Sequence, residues 1–351
     1  MEKNVKGFCG KRLPEVAKKG EREYPENRLC PPAQTGGKAR AGKDKNMKVS
    51  LVIMAAGLGS RYGGSKQVDG IGPHGEILME YSIHDALRAG FNKVVLIIKP
   101  EMETLMDRLV GDYLRKKTAL DGSPVEVAYV FQDYSSLPDF YTPPAERTKP
   151  YGTVHALLCA AEAVQEPCCV ITADDYYGID AYRTMYDALT DLPEQGASVM
   201  VGYLLKNTAS LYGTVSRGVC TAENGKLTSI VETKQIRLYP DGSLRDMTAD
   251  RTLDPDSVVS MNFWGFAPSI FPVLKGYFDE FLRSPRGQEL KTECLLPVMI
   301  GDLLQEGKME VSVLRSADKW FGMTYQEDKP LVAEALRKLQ QQAVYPADLR
   351  A

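Results

Sequence analysis

The sequence has few residues of the kinds that build metal or disulfide frameworks. Only 3 of its 351 residues are histidine, and its 7 cysteines include no Cys-x-x-Cys pair. Cys168 and Cys169 stand side by side inside an apolar run, so we expect buried, reduced thiols rather than disulfides. The histidines, His74, His84 and His155, lack the spacing of zinc ligands, and only His155 lies near a motif. These absences argue against a zinc protein and a disulfide scaffold.

Long apolar runs are also missing. No stretch approaches the roughly 20 consecutive apolar residues of a transmembrane helix, and the basic start lacks the features of a secretory signal. With 44% hydrophobic and 25% charged residues, the composition is typical of a globular chain with one large or two small domains. We therefore expect a cytoplasmic protein with no membrane partner.

The charge is unevenly distributed along the chain. Residues 1–46 contain 12 Lys and Arg against 6 Asp and Glu, whereas the remaining residues contain 31 against 40. A basic arm of this kind can contact nucleic acid or an anionic surface. Because this segment is rich in Gly and Pro and has no apolar periodicity, we instead expect a disordered basic N-terminal extension, no nucleic-acid partner, and a folded domain over 47–345.

From residue 48 onward, short apolar runs alternate with amphipathic stretches, which is typical of βαβ units and a mostly parallel sheet. Strands are predicted over 49–55, 93–98, 125–131 and 168–173. Helices are predicted over 80–90, 102–114, 153–163 and 179–189. After residue 196 the pattern is more antiparallel, with strands predicted over 198–204, 213–220, 226–232, 257–266 and 309–314. The remaining helices are predicted over 270–281, 292–305 and 329–341. We therefore predict an α/β fold with a mixed sheet.

Two carboxylates, Asp174 and Asp175, directly follow the predicted strand 168–173. Open α/β sheets bind their ligands at this carboxyl edge of the strands. For Asp174 a polar strand end or a helix cap is the plain alternative. For Asp175 the alternatives are a metal ligand and a cap on the next helix, of which we favour the cap. The long polar loop 133–150 precedes them, and long loops in compact domains often carry function.

A glycine-rich segment over 55–66 follows the first predicted strand. Its glycines let backbone N–H groups approach an anion closely, as binding of a triphosphate requires. A dinucleotide fingerprint starting at Gly57 would need glycine at Tyr62, and a P-loop starting at Gly59 would need lysine at Ser65. The segment therefore matches neither common phosphate motif.

Two cations remain in this loop, Arg61 and Lys66. Cations at such a position offset the charge that builds on a leaving pyrophosphate. The plain alternative is a glycine-rich turn with solvated cations.

Taken together, the motifs resemble those of the sugar-nucleotide pyrophosphorylases and related NTP transferases. The loop carries Gly-x-Gly-x-Arg and then Lys, behind Leu-Val-Ile-Met-Ala-Ala. Later segments resemble further family motifs in family order: Gln132, Gly152-Thr153-Val154-His155-Ala156, Ile171-Thr-Ala-Asp174, Tyr212-Gly213-Thr214-Val215 and Val231-Glu232-Thr233-Lys234. The resemblance spans about residues 48–330, and several motifs in order are more specific than any one of them. The Glu–Lys pair departs from the family pattern by one inserted residue.

The resemblance implies transfer of a nucleoside monophosphate from an NTP to a phosphorylated small acceptor, expected to be a sugar 1-phosphate, with Mg²⁺ as cofactor. It implies catalytic roles for Arg61 and Lys66. The residues expected to bind the nucleotide are Ala56, Gly57, Gly59, Ser60, Gln132, Gly152 and Thr153. The residues expected to contact the acceptor are Gly213, Glu232, Lys234 and Asn262. For Asn262, which is polar within an apolar strand, a structural hydrogen bond is the alternative.

The resemblance also implies two metal carboxylates. Asp174 corresponds to the strand-end metal ligand of the family, and Asp318 is the candidate for the second. The family often shows Asp directly before Gly-Thr, whereas here Asp318 precedes Gly322 by four residues, so a surface aspartate is an equal alternative.

The family fold is a Rossmann-like, three-layer, GT-A-like nucleotidyltransferase domain. We therefore expect a nucleotide-binding half over about 47–195 and an antiparallel acceptor-binding half over about 196–330. Two other functions stay open: a GT-A type glycosyltransferase, which consumes a nucleotide-sugar, and a non-catalytic nucleotide-sensing protein. The residue types specify neither the base, nor the acceptor, nor the oligomeric state.

Overall fold

The strands form where short runs of β-branched and aromatic residues lie between turns. The computed structural model describes residues 47–57, 70–194, 197–316 and 318–350. Within these ranges the strands are β1 Ser50–Met54, β2 Lys93–Ile98, β3 Glu126–Phe131, β4 Cys168–Thr172, β5 Asp175–Tyr176, β6 Ala197–Leu204, β7 Thr214–Glu223, β8 Lys226–Leu238, β9 Leu244–Asp246, β10 Arg251–Leu253, β11 Val258–Phe266, β12 Glu310–Arg315 and β13 Phe321–Gly322. The α-helices are α1 Leu78–Ala89, α2 Glu103–Met106, α3 Asp112–Leu114, α4 Thr153–Cys159, α5 Ile179–Thr190, α6 Ile270–Arg283, α7 Leu296–Gln305 and α8 Lys329–Gln341.

The predicted extension 1–46 lies outside the described residues. So do four residues of the glycine-rich loop to which the sequence assigns roles: Gly59, Ser60, Arg61 and Lys66.

Eleven of the described strands form one mixed sheet. β1 pairs in parallel with β2 and β4, and β2 pairs in parallel with β3. β11 runs antiparallel to both β4 and β6, while β12 is parallel to β6. Strands β7 to β10 form an antiparallel region. The predicted α/β fold with a mixed sheet is therefore confirmed, but the sheet is not mostly parallel, because antiparallel pairs of strands outnumber parallel ones.

Helices cover both faces of the parallel strands because these strands are apolar on both sides. Along β1, Leu51 and Ile53 belong to one core and Val52 to the other, and all three are fully buried. The first core includes residues of α1 and α5, and the second includes residues of α4, α6 and α7. The result is the predicted three-layer arrangement.

Some predicted elements are divided or extended in the structure. The predicted helix 102–114 consists of a 3-10 turn, α2, a π-helical turn over Asp107–Gly111 and α3. The segment 241–255 contains the two short strands β9 and β10, which its polar composition concealed. The helix predicted over 153–163 ends at Cys159.

The last part of the chain packs on α1. The Tyr345 ring meets the Tyr81 ring edge to face at 5.0 Å, and its hydroxyl donates to Asp85 Oδ2 at 2.7 Å. Arg350 donates to both carboxylate oxygens of the buried Glu80, at 2.6 and 2.8 Å. These contacts join the segment after α8 to α1, and Val332 and Leu336 of α8 pack with Tyr81 and Tyr345 in a third, smaller core.

Two further expectations concern the whole chain. Among the described residues no helix is long and apolar enough to cross a bilayer. The described cysteines, Cys159, Cys168, Cys169, Cys220 and Cys294, are all free thiols, as expected, and all but Cys159 are buried.

Candidate active site

The segments that carry the sequence motifs converge on one edge of the sheet. Because β1, β3 and β4 run in the same direction, the residues that follow them meet at their common carboxyl edge. Ala56 and Gly57 follow β1, Gln132 directly follows β3, and Asp174 lies two residues beyond β4. The three segments thus lie along one edge of the sheet.

The carboxylates after β4 stand in different surroundings. Asp174 and Asp175 are both half-buried, and Asp175 begins the short strand β5. The hydroxyl of Thr172 donates to Asp175 Oδ2 at 2.5 Å. Tyr177 braces this turn, because its hydroxyl accepts the backbone N–H of Thr172 at 3.1 Å and donates to the backbone oxygen of Met261 at 2.9 Å. The turn between β4 and α5 is thereby fixed to β11.

The expected helix cap at Asp175 is wrong, and Asp318 takes that place. Helix α5 begins after Gly178, and Asp318 Oδ2 accepts the backbone N–H groups of Asp180 and Ala181, the latter at 3.3 Å. Burial raises the pKa of Asp318, while the two backbone donors lower it. The contact joins residues 138 positions apart, which explains why the sequence did not reveal it.

The glycine of the late motif lies beside the strand-end carboxylates. β13 pairs with β5 so that Gly322 faces Asp175, and a Cβ at Gly322 would lie 2.8 Å from Asp175 Oδ1. Among the described residues no group of three or more His, Cys, Asp and Glu side chains gathers as a metal site. A divalent metal that also binds substrate phosphates needs only one or two protein carboxylates.

The Gln132 side chain is held by a backbone contact. The Gln132 side chain is 8% exposed, and its amide nitrogen donates to the backbone oxygen of Gly152 at 3.1 Å. Gly152 has φ +91°, and a Cβ there would lie 2.6 Å from the backbone oxygen of Cys294. Only glycine fits this position.

The start of α4 is tied to the start of α7. The hydroxyl of Thr153 accepts the backbone N–H of Leu296 at 2.8 Å, and Val154 donates to the backbone oxygen of Cys294 at 3.1 Å. Gly152 and Thr153, both expected to bind the nucleotide, thus also have packing roles in the structure.

The long loop 133–150 is ordered by a buried cation that the sequence did not single out. Arg147 is 3% exposed and stacks on the Tyr151 ring at 3.8 Å. Its guanidinium donates to the backbone oxygens of Lys149, Pro150, Glu289 and Thr292. The loop is thereby anchored to the segment before α7.

In the antiparallel region, Gly213 makes room for a tyrosine. A Cβ at Gly213 would lie 2.3 Å from the hydroxyl oxygen of Tyr325, which donates to the backbone oxygen of Thr214 at 2.5 Å. This contact brings the segment after β13 against the start of β7.

Two charged residues follow in this region, Glu232 and Lys234. Glu232 is half-buried and Lys234 exposed on β8. Burial raises the pKa of Glu232, whereas Arg217 and Lys234 lower it. Arg217, which the sequence analysis missed, donates to the backbone oxygen of Thr208 and lies over the Trp320 ring at 5.1 Å. The signal in the sequence that could have drawn attention to Arg217 is its position three residues after Thr214 of the Tyr212-Gly213-Thr214-Val215 motif.

Asn262 lies at an irregularity in β11. The pairing of β11 with β6 shifts register between Ser260 and Trp264, and Asn262 has φ 57°. Trp264 pairs with Val170 of the antiparallel β4, so Asn262 is displaced toward the carboxyl edge of β4. Its Oδ1 is buried, and none of the described residues donates to it. A buried oxygen of this kind requires a donor.

More than half of the chain matches a known family model. The model of the nucleotidyl transferase family matches residues 50–277. No curated protein matches the chain by sequence.

Three solved structures have a similar fold. One is a candidate glucose-1-phosphate thymidylyltransferase from Bacillus anthracis in complex with a sucrose, with TM-score 0.55, 15% identity, and coverage of 86% of this chain and 98% of that one. A UDP-glucose pyrophosphorylase complexed with UDP-glucose has TM-score 0.53, 16% identity, and coverage of 83% and 99%. An inositol-1-phosphate CTP transferase from T. maritima has TM-score 0.52, 13% identity, and coverage of 84% and 97%.

Proposed function

Because the chain belongs to the nucleotidyl transferase family, we propose that it transfers a nucleoside monophosphate from an NTP to a phosphorylated small acceptor, a sugar 1-phosphate, and releases pyrophosphate. The observation that carries this proposal is the shared carboxyl edge of β1, β3 and β4. Gln132 suits the base end of a nucleotide and Asp174 its phosphate end.

In the proposed reaction a phosphate oxygen of the acceptor forms a bond to the α-phosphorus of the NTP. The bond from that phosphorus to the α,β-bridging oxygen breaks, and its electron pair leaves with pyrophosphate. Such a displacement needs alignment and charge neutralisation, not a protein nucleophile. Arg61 and Lys66, which lie outside the described residues, are proposed to offset the charge on the leaving group.

Mg²⁺ would be held by Asp174, with Asp175 beside it, and would neutralise charge on the phosphate oxygens. Ala56 and Gly57 are proposed to present backbone N–H groups to the phosphates. Since Asp318 Oδ2 accepts two N–H groups of α5, we propose that Asp318 positions α5 behind the carboxylates rather than acting as a metal ligand.

The acceptor would bind against the antiparallel region. Asn262 Oδ1 is proposed to accept a hydrogen bond from an acceptor hydroxyl, which would satisfy its buried oxygen. Glu232 would accept from another hydroxyl, Lys234 would contact the acceptor phosphate, and Gly213 would allow close approach.

The decisive variant is Asp174→Asn, which removes the charge but keeps the shape of the side chain. We expect Mg²⁺-dependent pyrophosphate release to fall at least about a hundredfold with an unchanged melting temperature, because carboxylate ligation of the metal is lost. The matched control is Asp256→Asn, since Asp256 is 66% exposed and pairs only with Lys206 among the contacts described for it. Near-wild-type turnover in Asp174→Asn would refute the assignment.

The two other functions predict different results. A glycosyltransferase would consume a nucleotide-sugar without an NTP, and a nucleotide-sensing protein would bind an NTP without turnover. Assays with UDP-sugars therefore separate the glycosyltransferase from the proposed transferase, and assays with NTP and a panel of phosphorylated acceptors separate the nucleotide-sensing protein from it.

A further inference from the structure

The Gln132 amide has a fixed orientation that the proposed function leaves unexplained. The backbone oxygen of Gly152 can only accept, so the amide atom 3.1 Å from it is the nitrogen. The second partner of that nitrogen is Nδ1 of His155, at 3.5 Å. None of the described residues donates to the amide oxygen Oε1.

The tautomer of His155 follows from the hydroxyl of Ser136. Ser136 Oγ lies 2.7 Å from the backbone oxygen of Asp133, which can only accept, so the hydroxyl proton lies between them. Ser136 Oγ must then accept from His155 Nε2, 2.9 Å away. His155 therefore carries its proton on Nε2, and Nδ1 is left as an acceptor for Gln132.

The surroundings keep this imidazole neutral and rigid. The His155 ring is 1% exposed and stacks on Phe278 at 5.1 Å with 7° between the planes. The pKa of His155 is lowered to about 4, mainly by burial. Asp133 raises this pKa and Arg147 lowers it, and both effects are smaller than that of burial. At neutral pH the ring thus accepts at Nδ1.

We propose that the Ser136–His155 pair is the specificity-determining support of Gln132: His155 takes one amide hydrogen and Gly152 the other, so that Gln132 presents only its oxygen to the nucleobase. A base that offers a ring N–H to this oxygen is bound, and one that offers a ring-nitrogen lone pair is rejected. The inference rests on the proposed function, because it takes Gln132 as the residue that reads the base.

Nucleobases come in pairs that differ in this respect. On the Watson–Crick edge, uracil and thymine carry N3–H where cytosine has a lone pair, and guanine carries N1–H where adenine has one. A lone pair facing Oε1 loses a hydrogen bond and adds repulsion. We therefore expect the protein to prefer, within the pyrimidines or within the purines, the base that carries the ring N–H. The preference in kcat/KM should be about tenfold to a hundredfold.

The test compares His155→Phe with His155→Asn across UTP, dTTP, CTP, GTP and ATP, with pyrophosphate release as readout. Phenylalanine keeps the stack on Phe278 but offers no acceptor to the second amide hydrogen, so the Gln132 amide is held by Gly152 alone and its orientation is less firmly fixed. We expect KM for the preferred NTP to rise about tenfold, kcat to change less than about twofold, and the preference to fall about tenfold. Asparagine offers its Oδ1 near the former Nδ1, so it should restore most of the preference.

The matched control is His84→Phe, which alters a half-buried histidine whose ring packs edge to face against Tyr345 and whose pKa is likewise lowered to about 4 by burial. It should leave KM and the base preference unchanged. Ser136→Ala provides a second variant that does not depend on replacing the ring, since Ser136 is exposed and its loss frees the tautomer. Ser136→Ala, like His155→Phe, should weaken the preference for the base that carries the ring N–H.

The outcomes separate the two claims. If His155→Phe and Ser136→Ala keep the wild-type KM and preference while transfer proceeds, the inference is wrong and the proposed function stands. If wild-type protein prefers the lone-pair member of a pair, the inference is also wrong. If no NTP is turned over by wild-type protein, the proposed function itself fails, and the inference with it.

Discussion

Replacing Gly152 by alanine tests whether the turn before α4, which holds the Gln132 side chain, requires glycine at this position. The residue has φ +91°, and its added Cβ would lie 2.6 Å from the backbone oxygen and 3.0 Å from the backbone nitrogen of Cys294. These are backbone atoms, which cannot rotate away as the end of a side chain can. The segment before α7 must therefore shift for alanine to fit.

The loss of folding free energy expected for Gly152→Ala has two parts. The backbone at Gly152, with φ +91° and ψ −169°, lies in a positive-φ region that essentially only glycine adopts, and this conformation costs an L-residue about 1–2 kcal/mol. Moving Cys294 disturbs its hydrogen bonds with Val154 at 3.1 Å and with Tyr151 at 2.8 Å, each contributing about 1 kcal/mol. We expect Gly152→Ala to lower the free energy of unfolding by about 3–4 kcal/mol.

The assay is urea unfolding of Gly152→Ala beside Gly122→Ala. Gly122 has φ +86° and nothing within 4 Å of an added Cβ, so its variant carries the backbone cost without the clash. The Gly122 variant should lose about 1–2 kcal/mol and the Gly152 variant about 2 kcal/mol more. Equal losses would show that Cys294 does not constrain this turn, and the reasoning would be refuted.

Two further predictions concern buried carboxyl groups. Asp318→Ala should destabilise the protein by about 1–2 kcal/mol through loss of its contacts with α5, whereas Asp318→Asn should keep both stability and pyrophosphate release; loss of release in a stable Asp318→Asn would instead indicate a metal ligand. Burial raises the pKa of Asp85 well above its ordinary value, so the folded state holds a proton that the unfolded state gives up, and stability falls as pH rises from about 4 through the folded pKa. Asparagine at position 85 carries no titrating proton, so the Asp85→Asn variant does not lose stability in this way. Measured by urea titration, its free energy of unfolding relative to wild type should be greater at pH 7.5 than at pH 4.5. A relative free energy that does not change with pH would contradict the reasoning.

The parallel part of the fold was predictable because its signal is local. The strand predicted over 93–98 is β2 itself, since a run such as Lys-Val-Val-Leu-Ile-Ile is apolar on both faces and ends at turn residues. The helix predicted over 329–341 is α8 for a similar reason, because apolar residues recur at helical spacing. Short polar strands such as β9 and β10 give no such signal and form only by pairing with β8 or with each other.

The motifs of the candidate site could be recognised in the sequence, but the contacts between their residues could not. The sequence order of motifs indicated Gln132 and Asp174, and the parallel strands bring both to one edge. The support of Gln132 by His155 depends on one hydroxyl of the long loop, and the contact of Asp318 with α5 depends on residues far apart in the chain. Contacts of this kind are set by tertiary packing, which residue spacing does not report.

The central claim is tested most directly by product analysis after incubation of wild-type protein with Mg²⁺, each common NTP, and a panel of sugar 1-phosphates and phosphocholine. The account predicts that one NTP and one phosphorylated acceptor together yield pyrophosphate and a nucleoside-diphosphate conjugate in equal amounts, with neither formed when the acceptor is omitted. Binding of NTP without either product across the whole panel, or pyrophosphate release that does not require an acceptor, would contradict it.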